Sequence, residues 1–328
     1  KKVVEESSDD DDDDEDEDEP DDDDDDGGFN FTGAGILKDP ITRSTKGVLK
    51  KPKYKEGDSL DKLFKDTCHK FDKKSMPKIK PSQAIAKLNN FGLCKQWEKL
   101  TTEEKISNRI GAFEELQENL RNKRKTNADM TEQGPYIIKA MENYMGWQTK
   151  DANNPLLAKG NMEILEIVFL QSKKQLHKGY AISILPFLVD KMQDRRFAKQ
   201  AESCLWCMTY HFKPKVVVSN ILKLLLEIPS EKNRAPNIAF CAKAIMEFGV
   251  HNCDILQNLY YVQKYYAEFK AEGKIACKNA ITTIYQQMGD NWDLICFGNL
   301  EENLRKALQS EFNGQQNKGK TIQKRICL

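Results

Sequence analysis

Apolar residues through the middle and C-terminal parts of this chain recur at the three- and four-residue spacing of amphipathic helices. The stripe Ile110, Phe113, Leu116 and Leu120 marks one early helix, and Leu300, Leu304 and Leu308 mark the last. Between them the pattern predicts paired helices, with turns at 153–155, 193–196, 229–236 and 272–273. Strand-like alternation is missing from this stretch, so the sequence predicts an all-α fold.

Basic residues recur at the predicted turns inside these helix pairs. They are Arg109, Lys159, Arg195 with Arg196, Arg234 and Lys274, separated by 50, 36, 39 and 40 residues. A HEAT repeat, which is one pair of antiparallel helices, has a period of about 40–47 residues. Because stacked repeats place their internal turns on one edge, the sequence predicts an α-solenoid with a row of cations that suits an acidic partner.

Charge is distributed very unevenly. Residues 1–26 hold 19 Asp and Glu against two Lys, a net charge of −17, and because the whole chain is neutral the remainder carries +17. A block of like charge repels itself and stays disordered. We therefore predict an acidic and Lys/Gly-rich disordered linker over 1–57, a repeat domain over 58–313 whose helical N-terminal cap is 58–98, and a disordered tail over 314–328.

Several function classes are not supported by the sequence. No apolar run reaches the ~18 residues that span a bilayer, and P-loop, GxGxxG and HExxH motifs are absent. The chain begins with Lys instead of Met, which indicates a fragment or a processed product. We therefore expect no membrane segment, no enzyme activity, no cofactor and no metal.

The nine cysteines indicate a reducing compartment, the cytoplasm or nucleus, because their number is odd and most lie on apolar helical faces. Cys204 and Cys207 form a CxxC in the middle of a predicted helix. A redox CxxC opens a helix after a strand, and zinc requires a second ligand pair. We interpret both thiols as buried structural residues.

Nucleic acid is a rival partner for a body of charge +17. Its recognition usually adds aromatic stacking platforms. The aromatic residues Phe113, Trp206, Phe240 and Tyr285 instead fall on predicted core stripes, so a nucleic-acid partner is not the expected one.

The body over 97–313 resembles a TOG domain, the tubulin-binding HEAT module of microtubule polymerases. The segments that carry the resemblance are WEKL at 97–100, KISNR at 105–109, GAFEEL at 111–116, AKG at 158–160, MEIL at 162–165, AIMEFG at 244–249, IY at 284–285, MGD at 288–290, LEENL at 300–304 and EF at 311–312. The resemblance implies about six HEAT repeats in a flat slab whose turns bind the αβ-tubulin dimer. It also implies sibling TOG domains in the same chain, a role at growing microtubule ends, and a place on the microtubule cytoskeleton, at the spindle, centrosome or another organising centre.

The resemblance assigns tubulin-binding residues turn by turn: Lys105, Ile106 and Arg109 in the first turn, Lys159 in the second, Arg195, Arg196 and Lys199 in the third, Arg234 in the fourth, and Lys274 and Lys278 in the fifth. The family's first turn usually presents a Trp, where this chain has Ile106. Either Ile106 replaces that anchor or Trp97 supplies it.

Two alternatives stay open at this point. The chain could be a HEAT scaffold that binds the microtubule lattice, another protein or nucleic acid. The acidic segment could be a solubilising linker, or it could imitate an acidic partner and compete for the basic turns.

Overall fold

Helices dominate the described part of the chain. The computed structural model describes residues 78–93, 95, 106–144, 147, 152–228, 230–288, 300 and 302–309. The predicted linker 1–57, most of the N-terminal cap and the tail 314–328 lie outside these residues.

Eleven α-helices and two 3₁₀ turns, and no strand, occur within the described ranges. The helices are α1 Pro81–Asn90, α2 Ile106–Lys125, α3 Gly134–Tyr144, α4 Pro155–Gln171, α5 Lys178–Lys191, α6 Ala198–Phe212, α7 Pro214–Leu224, α8 Glu231–Phe248, α9 Ile255–Glu268, α10 Ala271–Met288 and α11 302–309. The 3₁₀ turns are Leu225–Glu227 and Val250–Asn252.

The helices form two layers. In the first layer α1 packs against α3, α5 against α7 and α7 against α9. In the second layer α2 packs against α4, α4 against α6, α6 against α8 and α8 against α10. Successive helices pair across the layers, α3 with α4, α5 with α6, α7 with α8 and α9 with α10. The predicted all-α HEAT solenoid is thereby confirmed.

Side-chain caps explain several helix starts. Asn154 accepts hydrogen bonds from the backbone N–H of Leu156 (3.0 Å) and Leu157 (3.4 Å), and Pro155 follows as the first residue of α4. Asp254 caps α9 in the same way. A cap oxygen satisfies donors that have no partner inside the helix, and proline lacks a donor there, so both features favour a helix start.

Two predicted turns were misplaced. α8 begins at Glu231, so Pro236 lies inside the helix, and α10 begins at Ala271, so Glu272 and Gly273 lie in its first turn. The helix starts before Pro236 because the backbone N–H of Asn233 and of Arg234 both bond to the Ser230 carbonyl, at 3.1 and 3.2 Å. Tertiary contacts override the local preference of proline and glycine at both positions.

α1 lies within the predicted N-terminal cap, residues 58–98. α1 packs against α3, as the other first-layer helices pack on their neighbours. The Asn119 side chain on α2 donates to the Leu93 carbonyl at 2.8 Å, which joins α2 to the end of α1.

The core fills the space between the two layers. Its largest fully buried side chains include Phe113, Tyr180, Phe240 and Tyr265. Gly160 lets α4 approach α2 closely, because a Cβ added there would lie 2.2 Å from Cε1 of Phe113. None of the described helices is long and apolar enough to cross a membrane.

The CxxC lies in the middle of α6. Cys204 is buried, and Cys207 is half-buried. Burial raises the pKa of the Cys204 thiol well above its ordinary range and that of Cys207 to about 12. A protonated, enclosed thiol is a poor nucleophile. The predicted burial is confirmed for Cys204, whereas Cys207 is only half-buried.

Candidate functional site

Four turns within helix pairs lie side by side and form what we call the turn edge, comprising residues 152–159, 192–199, 225–234 and 269–278. Polar contacts in or next to these turns join them in sequence. Lys191 donates to Asn153 Oδ1 at 2.7 Å, Asn237 donates to the Val189 carbonyl at 3.2 Å, and Glu231 accepts from the Gly273 N–H at 2.9 Å. The predicted cations of these turns are therefore brought to one edge.

The α5–α6 turn is held by Asp194. Its carboxylate accepts from the Arg196 backbone N–H (3.0 Å) and from the Arg196 guanidinium, at 2.6 Å from Nη2 to Oδ2. These hydrogen bonds lower the pKa of Asp194 to about 2. The Arg196 guanidinium also lies 5.0 Å from the ring centroid of Phe197. Arg196 is exposed, but its charge is already compensated by its own turn.

Three predicted cations are exposed and uncompensated. Lys159, Arg195 and Lys199 are exposed to solvent, and none of the ion pairs between described residues uses them. The Gln200 side chain donates to the Lys159 carbonyl at 3.2 Å, which places the start of α4 beside the start of α6. These three residues form one part of the turn edge that can meet an acidic surface.

Arg234 faces inward. It is 8% exposed, its Nη1 lies 2.6 Å from Glu268 Oε2, and its Nε donates to the Ile228 carbonyl. Its guanidinium lies 5.4 Å from the ring centroid of Tyr265 and 5.6 Å from that of Phe269. Arg234 thus joins the α7–α8 turn to the end of α9.

Two further predicted cations of the turn edge are partly enclosed. Lys274 lies 5.1 Å from the ring centroid of Tyr266, and Lys278 is half-buried one turn later. Glu231 accepts from the backbone N–H of Lys270 and Gly273, at 2.9 Å each, which lowers its pKa. The carboxylate therefore caps the start of α10 from the neighbouring pair.

The first predicted turn lies largely outside the described residues, as do Lys105 and Trp97. Ile106 opens α2 and is partly buried against the core. Arg109 lies one turn later and is 9% exposed.

Exposed apolar side chains were missed by the sequence reasoning. Leu156, Leu226 and Ile275 lie on the turn edge with exposures of 61%, 39% and 58%. The sequence could have identified them by position, because each lies next to a turn and away from the buried face. An exposed apolar residue between cations is the composition expected of a protein-binding surface.

Similarity to solved structures supports this arrangement. TOG3 of Drosophila melanogaster Mini spindles covers 72% of this chain and 94% of its own, with a TM-score of 0.53 and 18% identity. A structure described as "TOG-tubulin binding specificity promotes microtubule dynamics and mitotic spindle formation" covers 71% and 95%, with a TM-score of 0.53 and 15% identity. The MAST/Orbit N-terminal domain covers 67% and 96%, with a TM-score of 0.50 and 15% identity.

At the level of sequence, no family model and no curated protein matches. The identities to the solved structures are too low to carry function, but the coverage of whole TOG domains is nearly complete. The described part of this chain therefore has the fold of a TOG domain.

Proposed function

We propose that this chain is a tubulin-binding module that captures the αβ-tubulin dimer with its turn edge and is not an enzyme. One observation carries the proposal: in a TOG fold, uncompensated cations and exposed apolar side chains occupy the same edge. Rim cations steer an acidic partner and suppress wrong ones, whereas apolar side chains at the centre of a contact supply most of the affinity.

The structure suggests different roles for the proposed binding residues. Lys159, Arg195 and Lys199 would contact tubulin directly, flanked by Leu156. The buried Arg109 and Arg234, the partly enclosed Ile106, Lys274 and Lys278, and the exposed Arg196, whose charge is paired with Asp194, would hold the turns in place or contribute at the margin. Lys105 and Trp97 belong to the same proposal through the sequence resemblance.

In a longer protein with further modules of this kind, tethering would raise the effective concentration of tubulin near a microtubule end. That would promote assembly at growing ends and place the protein on the microtubule cytoskeleton. These finer statements depend on tubulin binding, so binding is tested first.

The experiment is size-exclusion chromatography of the full chain with unpolymerised αβ-tubulin at low salt, followed by titration to obtain affinity. The test variant carries Lys159→Glu, Arg195→Glu and Lys199→Glu. Arg196 is left intact because Glu at that position would face Asp194 and disturb the turn itself. The matched control carries Lys173→Glu and Lys174→Glu, two exposed residues on the opposite edge.

We expect one-to-one co-elution of the wild-type chain and of the control, and separate peaks for the test variant. Co-elution of tubulin with the wild-type chain, the control and the test variant would show that the turn edge is not part of the interface. Separate peaks for the wild-type chain would contradict dimer capture and turn attention to the lattice or another partner.

A further inference from the structure

Exposed apolar side chains form a row across the second helical layer, away from the turn edge. Six large apolar side chains among the described residues are exposed, and three of them lie on the turn edge. The other three lie near the C-terminal ends of α4, α6 and α8 and form what we call the apolar row: Leu170, Tyr210 and Met246, with exposures of 48%, 57% and 61%. Leu170 follows the exposed Leu156 of the same helix by 14 residues, which at 1.5 Å per residue separates them by ~21 Å.

Ring contacts between the ends of these helices place the row on one surface. The ring of Phe169 lies 5.7 Å from that of His211, which brings the end of α4 beside the end of α6. The ring of Tyr210 lies 4.8 Å from that of Phe248, which brings the end of α6 beside the end of α8. Since neighbouring packed helices are about 8–10 Å apart, successive members of the row are separated by about one helix spacing.

The middle of the same layer has a different character. Ion pairs join its helices there, from Arg121 to Glu163 and from Lys243 to Glu202, at 2.6 Å each. Trp206, one turn before the row on α6, is only partly buried and extends the apolar surface. Single exposed apolar residues are ordinary, but several in register on successive helices form a patch of the kind that binds a partner.

Lysines border the apolar row. In residues 170–178, 210–215 and 246–252 the charged residues are Lys173, Lys174, Lys178, Lys213, Lys215 and Glu247. Among these lysines only Lys215 is in an ion pair between described residues, 3.8 Å from Asp254, and the other four are exposed. Asp129 of the preceding turn accepts from the Lys173 N–H at 3.3 Å, which adds one carboxylate to this border. Cations remain in excess, so an acidic partner complements the row.

We propose that the apolar row is the docking site for an extended acidic peptide segment of a partner protein, with a large apolar side chain at every third position. An extended chain rises about 3.3 Å per residue, so every third side chain recurs after ~10 Å. This interval matches the helix spacing that separates the members of the row. The apolar side chains would supply most of the affinity, and the carboxylates between them would meet the lysines and guide the encounter.

The row fits a peptide better than a nucleic acid or a membrane. Leu170 and Met246 have no aromatic face on which a base could stack. The Tyr210 hydroxyl donates to Glu247 at 3.3 Å, so a carboxylate lies beside the aromatic member of the row and would repel a phosphate. Three side chains also make a smaller apolar face than an interfacial membrane helix inserts.

The test is fluorescence anisotropy of the full chain with three labelled peptides. The first peptide has Leu at every third position and Glu or Asp elsewhere. The second replaces each Leu with Ser and keeps the charge, and the third replaces each acid with Gln and keeps the apolar residues. We expect saturable binding of the first peptide. The other two should bind about tenfold more weakly or worse, because the surface combines both kinds of contact.

The test variant carries Leu170→Gln, Tyr210→Gln and Met246→Gln. Its fold should persist, because exposed side chains contribute little to stability. We expect it to bind the first peptide about tenfold more weakly or worse. The matched control replaces the three exposed apolar residues of the turn edge and should bind the peptide as the wild-type chain does: Leu156→Gln, Leu226→Gln and Ile275→Gln. This comparison does not depend on tubulin binding.

A second variant, Lys173→Gln with Lys174→Gln, leaves the row intact. It should weaken binding of the first peptide several-fold and reduce the dependence of that binding on salt. Equal affinity of the wild-type chain and the test variant, an equal loss in the turn-edge control, or no saturable binding of the first peptide would overturn the proposal. Tighter binding of oligo(dT) or of phosphatidylserine vesicles that the test variant abolishes would overturn it as well, since the partner would then be of another class.

Discussion

Replacing Arg234 with Met distinguishes a residue that supports the turn edge from one that contacts a partner. The guanidinium makes three kinds of contact that Met cannot make: a hydrogen bond to the Ile228 carbonyl, an ion pair with Glu268, and cation–π contacts with the rings of Tyr265 and Phe269. Met keeps a similar unbranched stem, so the apolar packing is largely retained. The decrease in the free energy of unfolding therefore measures the contribution of the guanidinium to stability.

The magnitude follows from the surroundings of each contact. A charge-assisted hydrogen bond contributes about 1.5–3 kcal/mol. The Glu268 carboxylate is half exposed, so its ion pair contributes at most about 1 kcal/mol. Cation–π stacking in a partly desolvated site adds about 1 kcal/mol. Because the three contacts share one group, they do not add fully, and we expect a loss of roughly 3 kcal/mol in the free energy of unfolding.

Urea unfolding combined with hydrogen exchange tests this expectation. With an m-value of ~1–3 kcal/mol per M, the midpoint should fall by about 1 M or more. Since solenoid repeats interact only with their neighbours, amide protection should fall in α8, α9 and α10 and persist in α3 and α4. The matched control is the exposed Arg195→Met, which should change stability by less than about 0.5 kcal/mol while weakening tubulin binding.

An unchanged midpoint and unchanged exchange for Arg234→Met, together with loss of tubulin binding, would refute the reasoning. Arg234 would then be a contact residue, despite its burial.

Further predictions concern packing, pH and thiol chemistry. Gly160→Ala should destabilise the fold by roughly 1–2 kcal/mol, because the cost of overpacking against Phe113 exceeds the helix-propensity gain of about 1 kcal/mol. The control Gly111→Ala places its Cβ in open space and should be stabilising. An equal rise in the urea midpoint of both variants would contradict this prediction. Burial lowers the pKa of His211 to about 4, so the stabilisation by the neutral imidazole is fully present above pH 6.5. As the pH falls from 6.5 to 4, the free energy of unfolding should decrease by up to about 3 kcal/mol. His211→Gln should flatten that part of the pH–stability curve, and an identical slope in the variant would contradict this prediction. Cys204 should react with a thiol reagent only at the rate of unfolding, as mapped by mass spectrometry, and rapid labelling of the native chain would show that this thiol is accessible.

Much of the fold could be predicted because helical periodicity is local. The spacing of Ile110, Phe113, Leu116 and Leu120 predicts which face of α2 is buried, and Phe113, Leu116 and Leu120 are indeed buried in the core. Helix boundaries were less predictable where a distant residue supplies the cap. Glu231 caps α10 through the backbone N–H groups of Lys270 and Gly273, which are 39 and 42 residues away in the sequence. No local sequence pattern predicts that contact.

The sequence by itself determined the all-α class, the period of the repeats and the gathering of basic residues near the turns, because these depend on neighbours three to forty residues apart in a regular series. Only the tertiary structure decided which cations face solvent. Arg195 and Arg234 look alike in the sequence, yet one is exposed and the other is enclosed by Glu268, Tyr265 and Phe269. The physical reason is that compensation of a charge depends on side chains brought together by packing between repeats, and sequence separation does not reveal that packing.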